Sequence, residues 1–518
     1  MTDSVPLAPL EQRTVPVLLD QSAVFGLERR WMVESWTGRE LDYGTFLSRV
    51  SATAHKLAAQ FEPGTHLGLM LGNHLEFVIL RYALSCAGLV EVSLNGDQKG
   101  AVLKQMLEVA APAAIMVDPP YVSNLLECGF DTSQTVIVKD TSLEQLCADQ
   151  RAWSKRPQVA LQPSDPCRIL FTSGTTGVSK GVVLSHAYEV FVGHRWGEGA
   201  GLTEHDNFLY TTRLFHADAQ GLIGAFLHTG CSCVITERFS ASQFWDTVVE
   251  FAATSFLYVG TILAIINRVG DPPDEHSLRI AFGAGCSEAL WGEWERKTGV
   301  EVLESFGMSE CLACTVSRSG ASVRGAAGRA LPSMDIAILD PLDQVVPPGT
   351  RGEIAIRSTE PFALMSGYLN HPDITLERFR NFWFHSGDLG SMDADGNLYF
   401  HGRMKDCVRV KGENISAEEL QAIVDSHPDV VISAAVGVPS ELGDEDILLY
   451  VQARSGYTVQ PEAICEHVAR NAVQFMVPRY IRFVTSLPVS VSEKVSKTDL
   501  PRTLDDRTWE RRDVRRST

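Results

Sequence analysis

The chain has 518 residues with 45% hydrophobic content, enough for full-sized cores in more than one domain. Its formal net charge of -19 argues against nucleic acid and anionic membrane surfaces as partners, and the arginines after Trp509 are too few and too mixed with acids to reverse that. The first residues carry acids and prolines but no charged-then-apolar leader, and the longest apolar stretch, 251–266, is shorter than the roughly 20 residues a membrane span requires and reads as core.

In chain order, apolar positions at Phe46, Val50, Leu57 and Phe61 predict an amphipathic helix over 45–61, ended by Pro63-Gly64. A strand at 67–71, a helix over 75–86, a strand at 89–94, a helix over 101–110 and a strand at 113–117 follow. This βαβαβ alternation implies a parallel sheet covered by helices, with ligands expected at loops beyond the strands' carboxyl ends. Arg168-Ile-Leu-Phe-Thr172 reads as a further buried strand, Val182-Val183-Leu184 as another, and Ser185-His186 as a helix start. Farther on, Ile336-Ala-Ile-Leu339 and Gly352-Glu353-Ile-Ala-Ile-Arg357, with Pro347-Pro348-Gly349 between them, predict hairpin-like strands in a β-rich subdomain. Past Gly402-Arg403 the pattern restarts with a helix over 417–426, strands at 434–438 and 448–453, and a helix over 462–471. The fold class is α/β: a large N-terminal domain of helix-covered sheets plus a β-rich subdomain over 1–402, and a small α+β C-terminal domain over 403–518. Eleven cysteines without paired spacing suit reduced thiols in a cytoplasm. Cys311-x-x-Cys314 and Cys231-x-Cys233 lack the second pair or histidine cluster that would complete a zinc site.

The densest chemistry lies between the strands at 168–172 and 182–184. The run Thr172-Ser173-Gly174-Thr175-Thr176-Gly177-Val178-Ser179-Lys180-Gly181 packs five hydroxyls, three glycines and one lysine into ten positions. Glycines let backbone N–H groups approach an anion, hydroxyls add donors, and Lys180 adds charge, so the loop suits a polyphosphate. It is not a P-loop, because two residues separate Gly177 from Lys180 and a strand follows rather than a helix. A flexible linker of small polar residues would not sit between two apolar strands.

Further segments follow in order: Leu214-Phe-His216, Glu304-Ser-Phe-Gly-Met-Ser-Glu310, His385-Ser-Gly-Asp388, Gly402-Arg-Met-Lys-Asp406 and Leu487-Pro to Lys494. Together with the loop they resemble the adenylate-forming (ANL) acyl-CoA synthetase family over roughly residues 35–500, in a motif style nearest to betaine-type and medium- or long-chain acyl-CoA ligases. The resemblance implies two half-reactions. A carboxylate attacks the α-phosphate of ATP and releases pyrophosphate; coenzyme A then cuts the acyl-adenylate. It also implies roles for residues. Thr172, Ser173, Gly174, Thr175, Thr176, Gly177 and Lys180 hold the phosphates, where donors stabilise the departing pyrophosphate. Glu310 is the magnesium ligand, and Mg2+ favours oxygen ligands while keeping several waters.

Gly283, Ala284 and Gly285, with Ser305, Phe306, Gly307, Met308 and Ser309, line the adenine and acyl slots. Asp388 takes the ribose hydroxyls, with Phe400 and Arg403 beside the nucleotide. Lys494 is the catalytic lysine of a mobile C-terminal domain that turns about Lys405, Gly412 lines the pantetheine path, and His216 gates the acyl and thiol channels. Several positions depart from the family's usual pattern: Glu493 precedes Lys494 where Thr-Gly-Lys is usual, Arg213 stands in place of a proline, and Cys407 and Arg409 follow the hinge. Adenylating enzymes for α-amino acids carry an acid right after the aromatic of Phe215-His216, whereas here the acid is Asp218, which disfavours an amino acid. The expected substrate is a hydrophobic or bulky non-amino carboxylic acid. Coenzyme A is the expected acceptor and a carrier protein the rival; a binding protein that keeps the fold without catalysis is the reading from another class.

Overall fold

The βαβαβ alternation folds as a parallel core: strand His66–Met70 lies between Val90–Ser93 and Ala114–Val117 and pairs in parallel with both. These coordinates come from a computed structural model that describes residues 4–130, 136–138, 141–172, 180–404, 407–410, 413–440, 445–454, 456–457, 459–472, 476–488 and 495–511. The helices Leu75–Cys86 and Gly100–Ala110 connect the three strands. Every residue of Leu75–Cys86 is buried, as befits a helix apolar on most faces inside a large protein. The sheet extends to seven strands in the order Gly367–Tyr368, Lys180–Ser185, Pro166–Thr172, Val90–Ser93, His66–Met70, Ala114–Val117 and Val136–Val138. The strands read at 168–172 and 182–184 form an antiparallel hairpin next to the edge strand Gly367–Tyr368, and Ser185 caps helix His186–Gly199 by accepting from the Tyr188 N–H.

A second sheet has nine strands, in the order Arg329–Ala330, Cys311–Val316, Glu301–Met308, Ile280–Ala284, Ser255–Val259, Asn207–Tyr210, Ser232–Ile235, Arg30–Glu34 and Glu40–Asp42. The apolar stretch at 251–266 becomes strand Ser255–Val259 and the start of helix Gly260–Val269, in a core with Trp291 and Trp294. Among the described residues no helix is long and apolar enough to cross a membrane.

Strands Met334–Leu339, Gly352–Ser358 and Trp383–Met392 lie side by side, as the β-rich reading requires, and Leu398–Arg403 pairs with the last of them. The C-terminal residues form a four-stranded sheet, Val430–Pro439, Glu445–Ala453, Tyr480–Phe483 and Trp509–Glu510. Helices Ala417–Asp425 and Pro461–Asn471 complete its core through Leu420, Val424, Ile464 and Val468. By compactness the chain divides into one unit of 1–336, 356–384 and 396–398 and another of 337–355, 385–395 and 399–518. Segments 337–355 and 385–395 thus group with the C-terminal residues, a division different from the 1–402 and 403–518 read from the sequence.

Candidate active site

In the first unit this hairpin sets Thr172 opposite Lys180, on either side of the predicted phosphate loop. Glu310 lies in the two-residue turn between strands Glu301–Met308 and Cys311–Val316, where Met308 pairs with Cys311. Tyr188 fixes that turn: its hydroxyl donates to the Ser309 carbonyl at 3.1 Å and accepts from the Leu312 N–H at 2.9 Å. Tyr368 joins the two sequence-predicted groups. Its hydroxyl donates to Glu310 Oε1 at 2.7 Å, and Lys180 Nζ lies 5.3 Å from its ring centroid. Lys180, Glu310 and Tyr368 are all buried. Burial, then the neighbouring Glu310 carboxylate, push the Tyr368 hydroxyl above the usual phenol range, so it remains a donor. Among the described residues no group of three or more His, Cys, Asp or Glu side chains offers an all-protein metal cage. The single Glu310 carboxylate fits a magnesium ion that completes its shell with waters and phosphate oxygens.

Glu304 and Ser305 tie together the residues predicted to line the slot. Ser305 Oγ donates to the Gly283 carbonyl at 2.9 Å. Glu304 accepts from the Gly285 N–H at 3.0 Å, the Cys286 N–H at 2.6 Å and the Tyr258 hydroxyl at 2.5 Å. Gly283 pairs with Tyr258 so closely that a Cβ there would stand 2.0 Å from the Tyr258 carbonyl oxygen, which only glycine avoids. Ala284 and Gly285 are exposed at the strand's carboxyl end, Phe306 is buried, and Gly307 and Met308 continue the same strand. Burial pushes the Glu304 carboxyl up to about 7, against the lowering effect of the Tyr258, Cys286 and Gly285 bonds.

His216 stands at the N-cap position of helix Ala217–Thr229, its ring 4.3 Å from that of Phe215. The segment before it is pinned from the other sheet. Asn73 Oδ1 accepts from the Leu214 N–H at 2.8 Å, Asn73 Nδ2 donates to the Thr212 carbonyl at 2.7 Å, and Arg81 Nη2 donates to the Leu214 carbonyl at 2.8 Å. Arg81 is held by Glu91, which also takes Arg168 Nε at 3.0 Å, and Arg168 pairs with Glu189 at 2.5 Å. Burial alone would raise Glu91, but Arg168 and Arg81 outweigh it and hold the carboxyl at about 2. This buried network ties the strand that feeds the phosphate loop to the segment that leads into His216. Asp218 is occupied locally, accepting from Thr212 Oγ1 at 2.9 Å.

In the second unit His385-Ser386-Gly387-Asp388 lies within strand Trp383–Met392, where Gly387 takes φ +75° and interrupts the extended backbone. Glu353 organises it, accepting from the Gly387 N–H at 3.0 Å and bonding His385 Nδ1 at 2.8 Å. Ser386 Oγ donates to the Ile354 carbonyl at 2.6 Å and accepts from the Asp388 N–H at 3.0 Å. Asp388 is buried and meets Arg403 Nε at 2.9 Å, so these two predicted nucleotide contacts are neighbours; Phe400 lies on Leu398–Arg403, 39% exposed. Ser173, Gly174, Thr175, Thr176, Gly177, Lys405, Gly412 and Lys494 lie outside the described residues. Tyr368, Tyr188, Glu304, Glu353, Asn73, Arg81 and Glu91 escaped the sequence reading. The first hint available for any of them is that Glu304 and Glu353 stand inside runs already singled out.

In the first unit a buried lysine and a carboxylate joined through Tyr368, with a glycine-walled strand end, and in the second unit an Asp–Arg pair, are groups suited to a nucleotide-handling enzyme. The chain belongs to the AMP-binding enzyme family, which matches residues 20–369, with the AMP-binding enzyme C-terminal domain matching 419–494. It is similar to sulfoacetate–CoA ligase of Cupriavidus necator, 30% identical over 94% of this chain and 97% of that protein. It is also similar to crotonobetaine/carnitine–CoA ligase of Proteus mirabilis, 28% identical over 93% of this chain and 97% of that protein. Among solved structures it resembles ATP-bound MatB from Rhodopseudomonas palustris, with 26% identity and a TM-score of 0.84 over 94% of this chain and 98% of that one.

Proposed function

We infer that the protein is an AMP-forming acid–thiol ligase that activates a carboxylic acid with ATP and passes the acyl group to coenzyme A. The observation that carries this reading is the Lys180–Tyr368–Glu310 grouping at the mouth of the phosphate-loop hairpin, within a chain matched along its length by relatives named as CoA ligases. Lys180 and the loop hydroxyls stabilise charge that develops on the departing pyrophosphate. Glu310 holds a magnesium ion, which when bound neutralises phosphate charge and orients the oxygens for displacement. Asp388, kept in place by Arg403, accepts from the ribose hydroxyls. The Gly283–Gly285 strand end, together with Phe306, forms the slot for adenine and acyl group. His216 gates the acyl and thiol channels.

Residues 403–518 form the mobile domain. Lys494 eases the repulsion between carboxylate and α-phosphate in the first half-reaction, and Gly412 lines the pantetheine path in the second. Work in the cytoplasm suits the eleven cysteines, whose spacing offers no disulfide framework.

The acid carries no α-ammonium, because Asp218 is spent on Thr212 and no acid follows Phe215 directly. Small residues at Ala284 and Gly285 with Val259 leave room for an apolar or bulky acyl group. One observation favours a second reading, a small acid with another polar group. Gln220, one helical turn past His216, is buried with neither amide atom bonded among the described residues. The deciding experiment incubates enzyme, ATP and magnesium with acids running from oxalate and sulfoacetate to medium-chain and aryl acids. Coenzyme A or a holo-carrier protein is supplied, and pyrophosphate, AMP and thioester are followed. Acid-dependent pyrophosphate release with thioester on coenzyme A is the expected result. Thioester on the carrier alone overturns the acceptor, and no acid-dependent pyrophosphate release across the panel overturns the activity.

A further inference from the structure

Tyr368 belongs to the two-residue strand Gly367–Tyr368, antiparallel to Lys180–Ser185, with Tyr368 opposite Val182. The main chain on either side of it bonds both neighbours of the phosphate site: the Leu369 N–H donates to the Gly181 carbonyl at 2.7 Å, and the Met365 N–H donates to the Glu310 carbonyl at 2.8 Å. Its own N–H donates to Thr375 Oγ1 at 2.9 Å, and that hydroxyl donates to the His371 carbonyl at 2.9 Å. Tyr368 is 6% exposed, its phenol donates to Glu310 Oε1 and its ring face carries Lys180 Nζ. A carboxylate with one oxygen engaged by a fixed donor presents the other in a defined direction, the usual way an outer partner tunes a metal ligand.

We propose that Tyr368 is a positioning residue for adenylation: its hydroxyl orients the Glu310 carboxylate toward the cation that accompanies the nucleotide, and its ring seats the Lys180 ammonium beside the phosphates. The proposal rests on Glu310 as the magnesium ligand of an ATP-dependent ligase. It differs from a packing role in a measurable respect: the hydroxyl matters to the cation and not to the acid.

The test compares wild type with Tyr368→Phe, which keeps the ring and removes the hydroxyl, Tyr368→Leu, which removes both, and Glu310→Gln. Acid-dependent ATP–pyrophosphate exchange is measured against magnesium concentration. Binding of Mn2+ in the presence of a non-hydrolysable ATP analogue is followed by electron paramagnetic resonance, which needs no turnover. Tyr368→Phe is expected to raise the half-maximal magnesium concentration and the Mn2+ dissociation constant about tenfold, with a deficit that shrinks as magnesium rises and a KM for the acid that stays put. Tyr368→Leu adds a higher KM for ATP at saturating magnesium, since Lys180 loses its seat; if that variant does not fold, Tyr368→Phe decides alone. A Mn2+ affinity for Tyr368→Phe equal to wild type while Glu310→Gln weakens it overturns the proposal and spares the metal role of Glu310. A Mn2+ affinity unchanged in Glu310→Gln as well removes that role and the proposal with it. A rise in the KM for the acid as large as the magnesium shift marks general loosening and also overturns the proposal.

Discussion

Glu304 is a carboxylic acid whose partners are a phenol and two backbone N–H groups. Burial lifts it from 4.5 to about 7 in the fold, so the native state keeps a proton that the unfolded chain has released between those values. Its contribution is fully present below the unfolded pKa and is lost as pH rises through the folded one; the span sets an upper bound of about 3 kcal/mol. Urea unfolding of wild type and Glu304→Gln at pH 5, 6, 7 and 8 is expected to show the wild-type advantage shrinking toward pH 7 and levelling above it. A difference that does not vary with pH refutes the assignment. Glu304 was visible in the sequence as the head of the run ending at Glu310, but its work was not. Its partners lie 18, 19 and 46 positions away, and no local pattern announces a carboxyl turned back under a strand end.

At the scale of elements, the phosphate-loop hairpin was legible because an apolar strand on each side brackets a polar, glycine-rich run, and Thr172 and Lys180 do pair across it. What holds that hairpin to its surroundings was not legible. Glu91 reaches Arg168 across 77 positions and Asn73 reaches Leu214 across 141, and charged residues inside strands and helices give no sign of their partners. Glu91→Gln leaves Arg81 and Arg168 buried without their shared anion, and is expected to cost about 3–5 kcal/mol in urea unfolding. It should also disturb ATP use more than the sheet's far edge, because the same arginines hold the strand into Thr172 and the carbonyl of Leu214. Gly283→Ala places a methyl against the Tyr258 carbonyl, so strands Ser255–Val259 and Ile280–Ala284 must separate locally. A loss of roughly 3 kcal/mol is expected, together with a higher KM for ATP, read by thermal melting and by pyrophosphate exchange.

At the scale of the whole molecule, two half-reactions on one nucleotide site require groups that serve one step and not the other. A unit charge pair at about 4 Å is worth roughly 1 kcal/mol in water and about 4 at an effective dielectric near 20, so a lysine delivered by a closing domain gains most of its effect on closure. Lys494→Ala is therefore expected to abolish acid-dependent pyrophosphate exchange while still converting preformed acyl-adenylate to thioester with coenzyme A. Exchange unchanged from wild type, measured with labelled pyrophosphate, removes Lys494 from the first step. The order of motifs along the chain carried this reading.

The sequence by itself determined the α/β class, the alternation that builds the parallel core, the glycine- and hydroxyl-rich composition of the 172–181 run and, through the order of its motifs, the family. Those follow from periodicity, glycine geometry and residue type, which act locally and are written in consecutive positions. Only the tertiary structure decided that Tyr368 stands between Lys180 and Glu310, that Glu353 holds the strand segment bearing Asp388, and that Glu304 with Ser305 ties down the Gly283–Gly285 strand end. Each is a contact between residues brought together by sheet register and burial, and register is set by the packing of whole strands rather than by either partner's neighbours in the chain.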